Sequence, residues 1–151
     1  MVSILLANGE AAATLLSVAV AIVIGYAGFR QTQTRARREY TLSVMLQRLS
    51  HEDLSRATLL LAEYTKRGAT FEETPENQEE HRLVNLLLSY YEFIAIAYIQ
   101  NGLDRETVRK QQRNSMKAAF RVCEPYILKR RKELSRKTLY SEFEKLTKRY
   151  L

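Results

Sequence analysis

Two histidines, one cysteine and one polar stripe are the groups on which chemistry could be built in this 151-residue chain. His51 and His81 fit no HxxxH, HExxH or HxE pattern, so the spacing that lets two imidazoles and a carboxylate meet on one metal is missing. No GxxxxGK[ST] loop, GxGxxG turn or GxSxG elbow occurs. Neither histidine follows an arginine by four to six residues, the spacing a helical RNA-cleaving domain would use. Cys123 lies among Met116, Ala119, Phe120 and Ile127, which keep helical spacing, and reads as inert packing; a lone cysteine also rules out an internal disulfide. The expectation is a protein that is not an enzyme and holds no metal or cofactor. The polar stripe is Asn85, Ser89 and Glu92, at i, i+4 and i+7 of the apolar run LVNLLLSYYEFIAIAYI (83–99). It reads either as a solvent face or as a hydrogen-bonding seam against another helix or subunit, with Glu92 paired to an arginine.

The elements that must position these groups are helices. There are only 2 Pro and 5 Gly, and no strand pattern competes. Residues 11–29, AAATLLSVAVAIVIGYAGF, run between Glu10 and Arg30 without a charge. As a helix they rise about 28 Å, close to the thickness of a bilayer's hydrocarbon core. A signal peptide would carry positive charge before the apolar run, whereas Arg30, Arg35, Arg37 and Arg38 all follow it. The positive-inside rule then predicts the cell inner membrane with the N-terminus outside: an extracytoplasmic tail over 1–10, a transmembrane helix over 11–29, a juxtamembrane helix over 30–49 and a cytoplasmic helical domain over 50–151. Ala13, Ser17, Ala21 and Gly25 form a stripe of small side chains that would let transmembrane helices approach closely, and the simplest partner is a second copy.

Past the membrane segment, Leu42, Met45, Leu46 and Leu49 predict an apolar face on the continuing helix. Ser50 with Asp53 predicts a helix start and Gly68 a stop, bracketing a helix whose face is Leu54, Ala57, Leu61 and Tyr64. The stretch 69–80 contains Pro75 and five Glu and reads as a solvated acidic loop. The run 83–99 is apolar enough to be weighed as a second span, but a central carboxylate at Glu92 would cost about 2.5–3.5 kcal/mol or more in lipid, so a buried central helix is expected. Gly102 closes it and Asp104 caps the next helix. Pro125 should kink or break that helix. A last helix places Leu139, Phe143, Leu146 and Tyr150 on one face. The fold class is all-α, one N-terminal transmembrane helix continuing into a cytoplasmic bundle.

The net charge of +7 is uneven. Residues 50–100 hold four basic and nine acidic side chains, whereas 101–151 hold fifteen basic and six acidic ones. Arg30, Arg35, Arg37 and Arg38 adjoin the expected bilayer and suit anionic head groups, at about 1 kcal/mol each. The cluster Lys129, Arg130, Arg131 and Lys132 could meet lipid, nucleic acid, or the acidic loop of a neighbouring copy. Tyr126 and Tyr140 nearby are too few for a base-stacking surface.

TRARREYTL, EEHRLVNLLLSYYEFIAIAYIQNGLD and EPYILKRRKE resemble an uncharacterised bacterial family of small single-pass membrane proteins with a helical cytoplasmic domain. The resemblance covers most of 30–150, on an Asn and a Glu seven apart (Asn85, Glu92), a Gly, and a Pro ahead of basic residues. More loosely, the architecture is similar to the membrane accessory protein of type VI-B CRISPR systems. That resemblance implies a ring whose membrane helices form a pore, in anti-phage defence. Its RNA-cleaving-type domain uses an Arg–His motif that this chain lacks. Two functional expectations follow: a homo-oligomeric pore-forming or membrane-perturbing effector, or a membrane-tethered adaptor whose basic domain binds a protein or nucleic acid.

Overall fold

A computed structural model describes the backbone from Val2 to Leu151 and the side chains from Leu16 onward. Helix α1 (Val2–Ser50) is followed by α2 (Glu52–Arg67), a 3₁₀ turn (Pro75–Asn77), α3 (Gln78–Ile99), α4 (Arg105–Glu133), α5 (Ser141–Lys145) and a π turn (Leu146–Tyr150). Among the described residues there is no strand, and the fold is all-α. The chain divides into two compact units, Met1–Ala36 and Arg37–Leu151.

In the first unit, every described residue from Leu16 to Ala36 is exposed. The large apolar side chains Leu16, Ile22, Val23, Ile24 and Tyr26 are each more than 60% exposed. Its described side-chain bonds run along the helix itself. Thr32 and Thr34 donate their hydroxyls to the carbonyls of Gly28 and Arg30, four residues back, and the Arg30 guanidinium lies 5.8 Å from the Tyr26 ring centroid.

The second unit is built around α3, which buries Leu83, Val84, Leu87, Leu88, Tyr91, Ile94, Ala95 and Tyr98. The helical segment Pro75–Ile99 is long and apolar enough to cross a membrane, and among the described residues no other segment is. Its buried face is covered by α2, α4 and α5, which makes it a core helix of this unit. Helix α2 buries Leu54, Ala57 and Leu61, with Tyr64 packed beside them. It ends at Gly68, whose φ of 65° is a left-handed conformation open to glycine at little cost. Asp104 caps α4 by accepting from the Thr107 backbone N–H at 2.9 Å.

Five expectations need correction. The start of α2 is His51, with no side-chain cap; the Ser50 hydroxyl instead donates back to Gln47 O. The packed face of α1 is Thr41, Met45 and Arg48, while Leu42, Leu46 and Leu49 are 48%, 62% and 71% exposed. The acidic loop is pinned by Phe71, fully buried between Tyr64 and Tyr126, with its N–H bonded to Val122 O at 2.9 Å. Helix α4 does not break at Pro125 but continues through it, because burying Val122, Cys123, Tyr126 and Ile127 around it offsets the one lost backbone bond. In the C-terminal turn Tyr150 is 46% exposed and Leu151 is buried. A bond from Leu151 N to Leu146 O marks the wider π spacing, which rotates residue 151 rather than 150 onto the core.

Candidate functional site

Asn85, Ser89 and Glu92 face the C-terminal segment of the same chain, and His81, one turn earlier, extends their row. The Asn85 amide nitrogen lies 2.8 Å from His81 Nε2, and its oxygen accepts from the Tyr126 hydroxyl at 2.8 Å and from Tyr140 at 3.4 Å. His81 Nε2 is also 2.6 Å from the Tyr126 hydroxyl and 3.4 Å from a Glu73 carboxylate oxygen. Burial pushes the Tyr126 phenol up to about 12, against the opposing hydrogen bond to Asn85. Burial likewise raises Tyr140, with the Ser89 hydrogen bond opposing it. Both phenols therefore stay protonated and able to donate across the neutral pH range.

Glu92 meets the start of α5. Its carboxylate accepts from the backbone N–H groups of Phe143 at 2.7 Å and Glu142 at 3.2 Å. The partner is a helix start in place of the expected arginine, and it suits an anion because those N–H groups have no intrahelical acceptor. Tyr140, just before α5, holds φ at 55°, an unfavourable value for a side chain with a Cβ. The contacts at Asn85 and Glu92 on either side fix that turn. Phe143 then stacks on Tyr91 at 5.3 Å and meets Phe120 edge-on at 5.6 Å. The row from His81 to Glu92 is a latch that holds residues 138–151 on α3. Its groups satisfy one another, which suits positioning better than attack on a substrate.

The basic cluster is divided. Arg131 reaches inward, donating to Leu139 O and to a Glu144 carboxylate oxygen, each at 2.8 Å. Glu133 lies 3.3 Å from Arg130 and 3.8 Å from Lys129, and Lys132 is exposed. Arg38, assigned to head groups from the sequence, lies 3.8 Å from Asp104 and 3.7 Å from Glu106 at the start of α4. Arg30, Arg35 and Arg37 are exposed. On the small-residue stripe, Ala13 lies outside the described side chains, and Ser17, Ala21 and Gly25 are exposed. A Cβ added at Gly25 would meet nothing within 4 Å. Burial pushes the Cys123 thiol up to about 12, which removes the thiolate needed for reactivity.

Sequence reasoning missed His81, Tyr126 and Tyr140. His81 was within reach, since it continues the Asn85–Ser89 spacing backwards by four. The two tyrosines carry no local signal. Sequence reasoning also missed four basic residues at steps of four on α4: Arg109, Arg113, Lys117 and Arg121. None has a carboxylate at ion-pair distance among the described residues.

These features define an all-helical domain tied to an exposed apolar helix. Residues 13–150 match the family described as a domain of unknown function, DUF4760, and the chain belongs to that family. No curated protein and no solved structure matches the chain.

Proposed function

We propose that this chain is a single-pass protein of the cell inner membrane, N-terminus outside, whose copies associate through α1 and act on membrane permeability. The observation that carries the reading is the exposure of every described residue of the apolar run 16–29. Large apolar side chains exposed all round a helix need a lipid or protein cover, because water penalises each by about 1.5–3 kcal/mol relative to burial. Four arginines following the run favour a cytoplasmic domain. Self-association is supported by Leu42, Leu46 and Leu49, exposed at the four-then-three spacing of a helix-pairing seam. A change in permeability, in anti-phage defence, is what the resemblance to the CRISPR accessory protein implies.

Light scattering on the detergent-purified protein, corrected for bound detergent, tests the assembly. A discrete oligomer of about six or more copies supports a ring able to enclose a channel, and planar-bilayer conductance is then expected. A monomer overturns self-association. A second reading, a tethered adaptor, is favoured by Arg109, Arg113, Lys117 and Arg121, whose unmatched charge suits an anionic partner. Exchanging 11–29 for an unrelated leucine-rich span separates the two: the adaptor keeps its activity and the pore loses it.

A further inference from the structure

The geometry points to a ligand site in the second unit: the cavity beside Arg48 takes a small organic anion, a carboxylate or phosphate on an apolar body. Arg48 is 8% exposed. Its Nη1 donates to Gln112 Oε1 at 2.6 Å and its Nη2 to Thr58 Oγ1 at 2.8 Å. The guanidinium carbon lies 5.7 Å from the Tyr90 ring centroid and 5.6 Å from that of Tyr91. Every one of these partners is neutral, and among the described residues no carboxylate comes within ion-pair distance of Arg48. The contrast with Arg131 is direct, since that half-buried guanidinium has Glu144 at 2.8 Å.

A cation removed from water without a counter-charge is costly, and the two aromatic faces return only part of that cost. Gln112 and Thr58 take two of the five N–H groups a guanidinium carries, and the Tyr91 hydroxyl is a further neutral partner. An oxyanion would supply the missing charge and could bind two such donors at once. Tyr90 stands beside Arg48, and the buried Tyr90 hydroxyl, which has no partner, would have to turn to donate to a bound anion.

Both residues line a cavity of about 320 Å³, at the small end of the range for small-molecule sites. Its remaining wall explains why the anion is organic. Val44, Leu54 and Phe93 offer an apolar surface, with Ser43 and His51 as polar groups. A bare inorganic ion would leave the apolar wall uncovered, and an uncharged hydrocarbon would leave Arg48 uncompensated.

The test is titration calorimetry of the full chain in nanodiscs of zwitterionic lipid, with benzoate and phenyl phosphate as probes. Benzyl alcohol supplies the apolar body without the charge, and inorganic phosphate the charge without the body. Saturable one-site binding of at least one organic anion is expected, about tenfold tighter than either control. Arg48→Met should weaken it about tenfold. Because that change touches the core, Ser43→Trp, at an exposed position on the wall, gives a second route: it should block the site while the helical circular dichroism stays unchanged. No saturable binding of either anion, equal binding of benzyl alcohol, or wild-type affinity in a folded Ser43→Trp variant would overturn the assignment.

Discussion

Two apolar stretches of this chain have opposite surroundings. In α1, residues 16–29 are all exposed; in α3, residues 83–99 bury eight side chains in the centre of the second unit. Hydropathy alone does not separate them, because both are apolar enough to be weighed as spans. What separates them is the polar row on α3, whose Asn85 and Glu92 find partners on Tyr126, Tyr140 and the start of α5. A helix with a satisfied polar edge has a side to give its neighbours. In the run 16–29 every described side chain is exposed, and on the proposed reading lipid or another copy covers it.

The largest effect should come from breaking the buried stretch. Leu88 is 0% exposed, so Leu88→Ala is expected to lower stability by about 2–5 kcal/mol. Ile24, 66% exposed, should tolerate the same truncation within about 0.5 kcal/mol. Denaturant titration followed by circular dichroism measures both, and equal losses would erase the contrast. The converse change tests the exposed stretch. Ile22→Arg places a charge mid-run and should cost about 2.5–3.5 kcal/mol of membrane insertion, moving protein into the soluble fraction after a carbonate wash. Retention of the variant in the membrane pellet would argue against α1 as the anchor.

The latch comes next in size. Glu92→Ala removes a charged acceptor from two backbone N–H groups at the start of α5, a loss of about 2 kcal/mol. The loss should concentrate in residues 138–151. Trypsin should then cut earlier at Arg136, Lys137 and Lys145 while the rest of the unit keeps its protection. Uniform acceleration of cutting across the whole unit would mean that Glu92 supports the core at large.

The sequence made the helices legible wherever one face was uniformly apolar. Leu54, Ala57 and Leu61 identify α2, and Gly68 and Asp104 mark ends because backbone geometry and capping act locally. The packed face of α1 was misread for a physical reason. It carries Thr41 and Arg48, polar residues that are buried because they bond to Asp104 N, Gln112 and Thr58, while the more apolar Leu42, Leu46 and Leu49 stay outside. Phe71 escaped notice because five glutamates follow it by residue 80, and its site is made by residues far along the chain. The latch was half visible. Spacing gave Asn85, Ser89 and Glu92, but no local pattern encodes a tyrosine 41 residues away as the partner of Asn85.

The smallest expected effect lies where α1 passes from exposed to packed. The Asp104 backbone N–H donates to the Thr41 hydroxyl at 2.8 Å, the Asp104 side chain caps α4, and Arg38 lies 3.8 Å away. The Thr107 hydrogen bonds and Arg38 hold the Asp104 carboxyl below its ordinary value of 3.8. A carboxyl depressed on folding contributes stability that is complete above its unfolded pKa and is lost as pH falls through the folded one. The contribution should therefore be fully present at neutral pH and drain away below about pH 4. Asp104→Ala should cost about 1 kcal/mol at pH 7, and the cost should shrink toward zero as both proteins are acidified. Thermal melts of the two proteins from pH 7 down to pH 3 measure the difference. Equal melting of the two proteins at pH 7 would mean that Asp104 holds α1 against α4 through its backbone N–H alone, and that the exposed-to-packed transition in α1 depends on Thr41 rather than on charge.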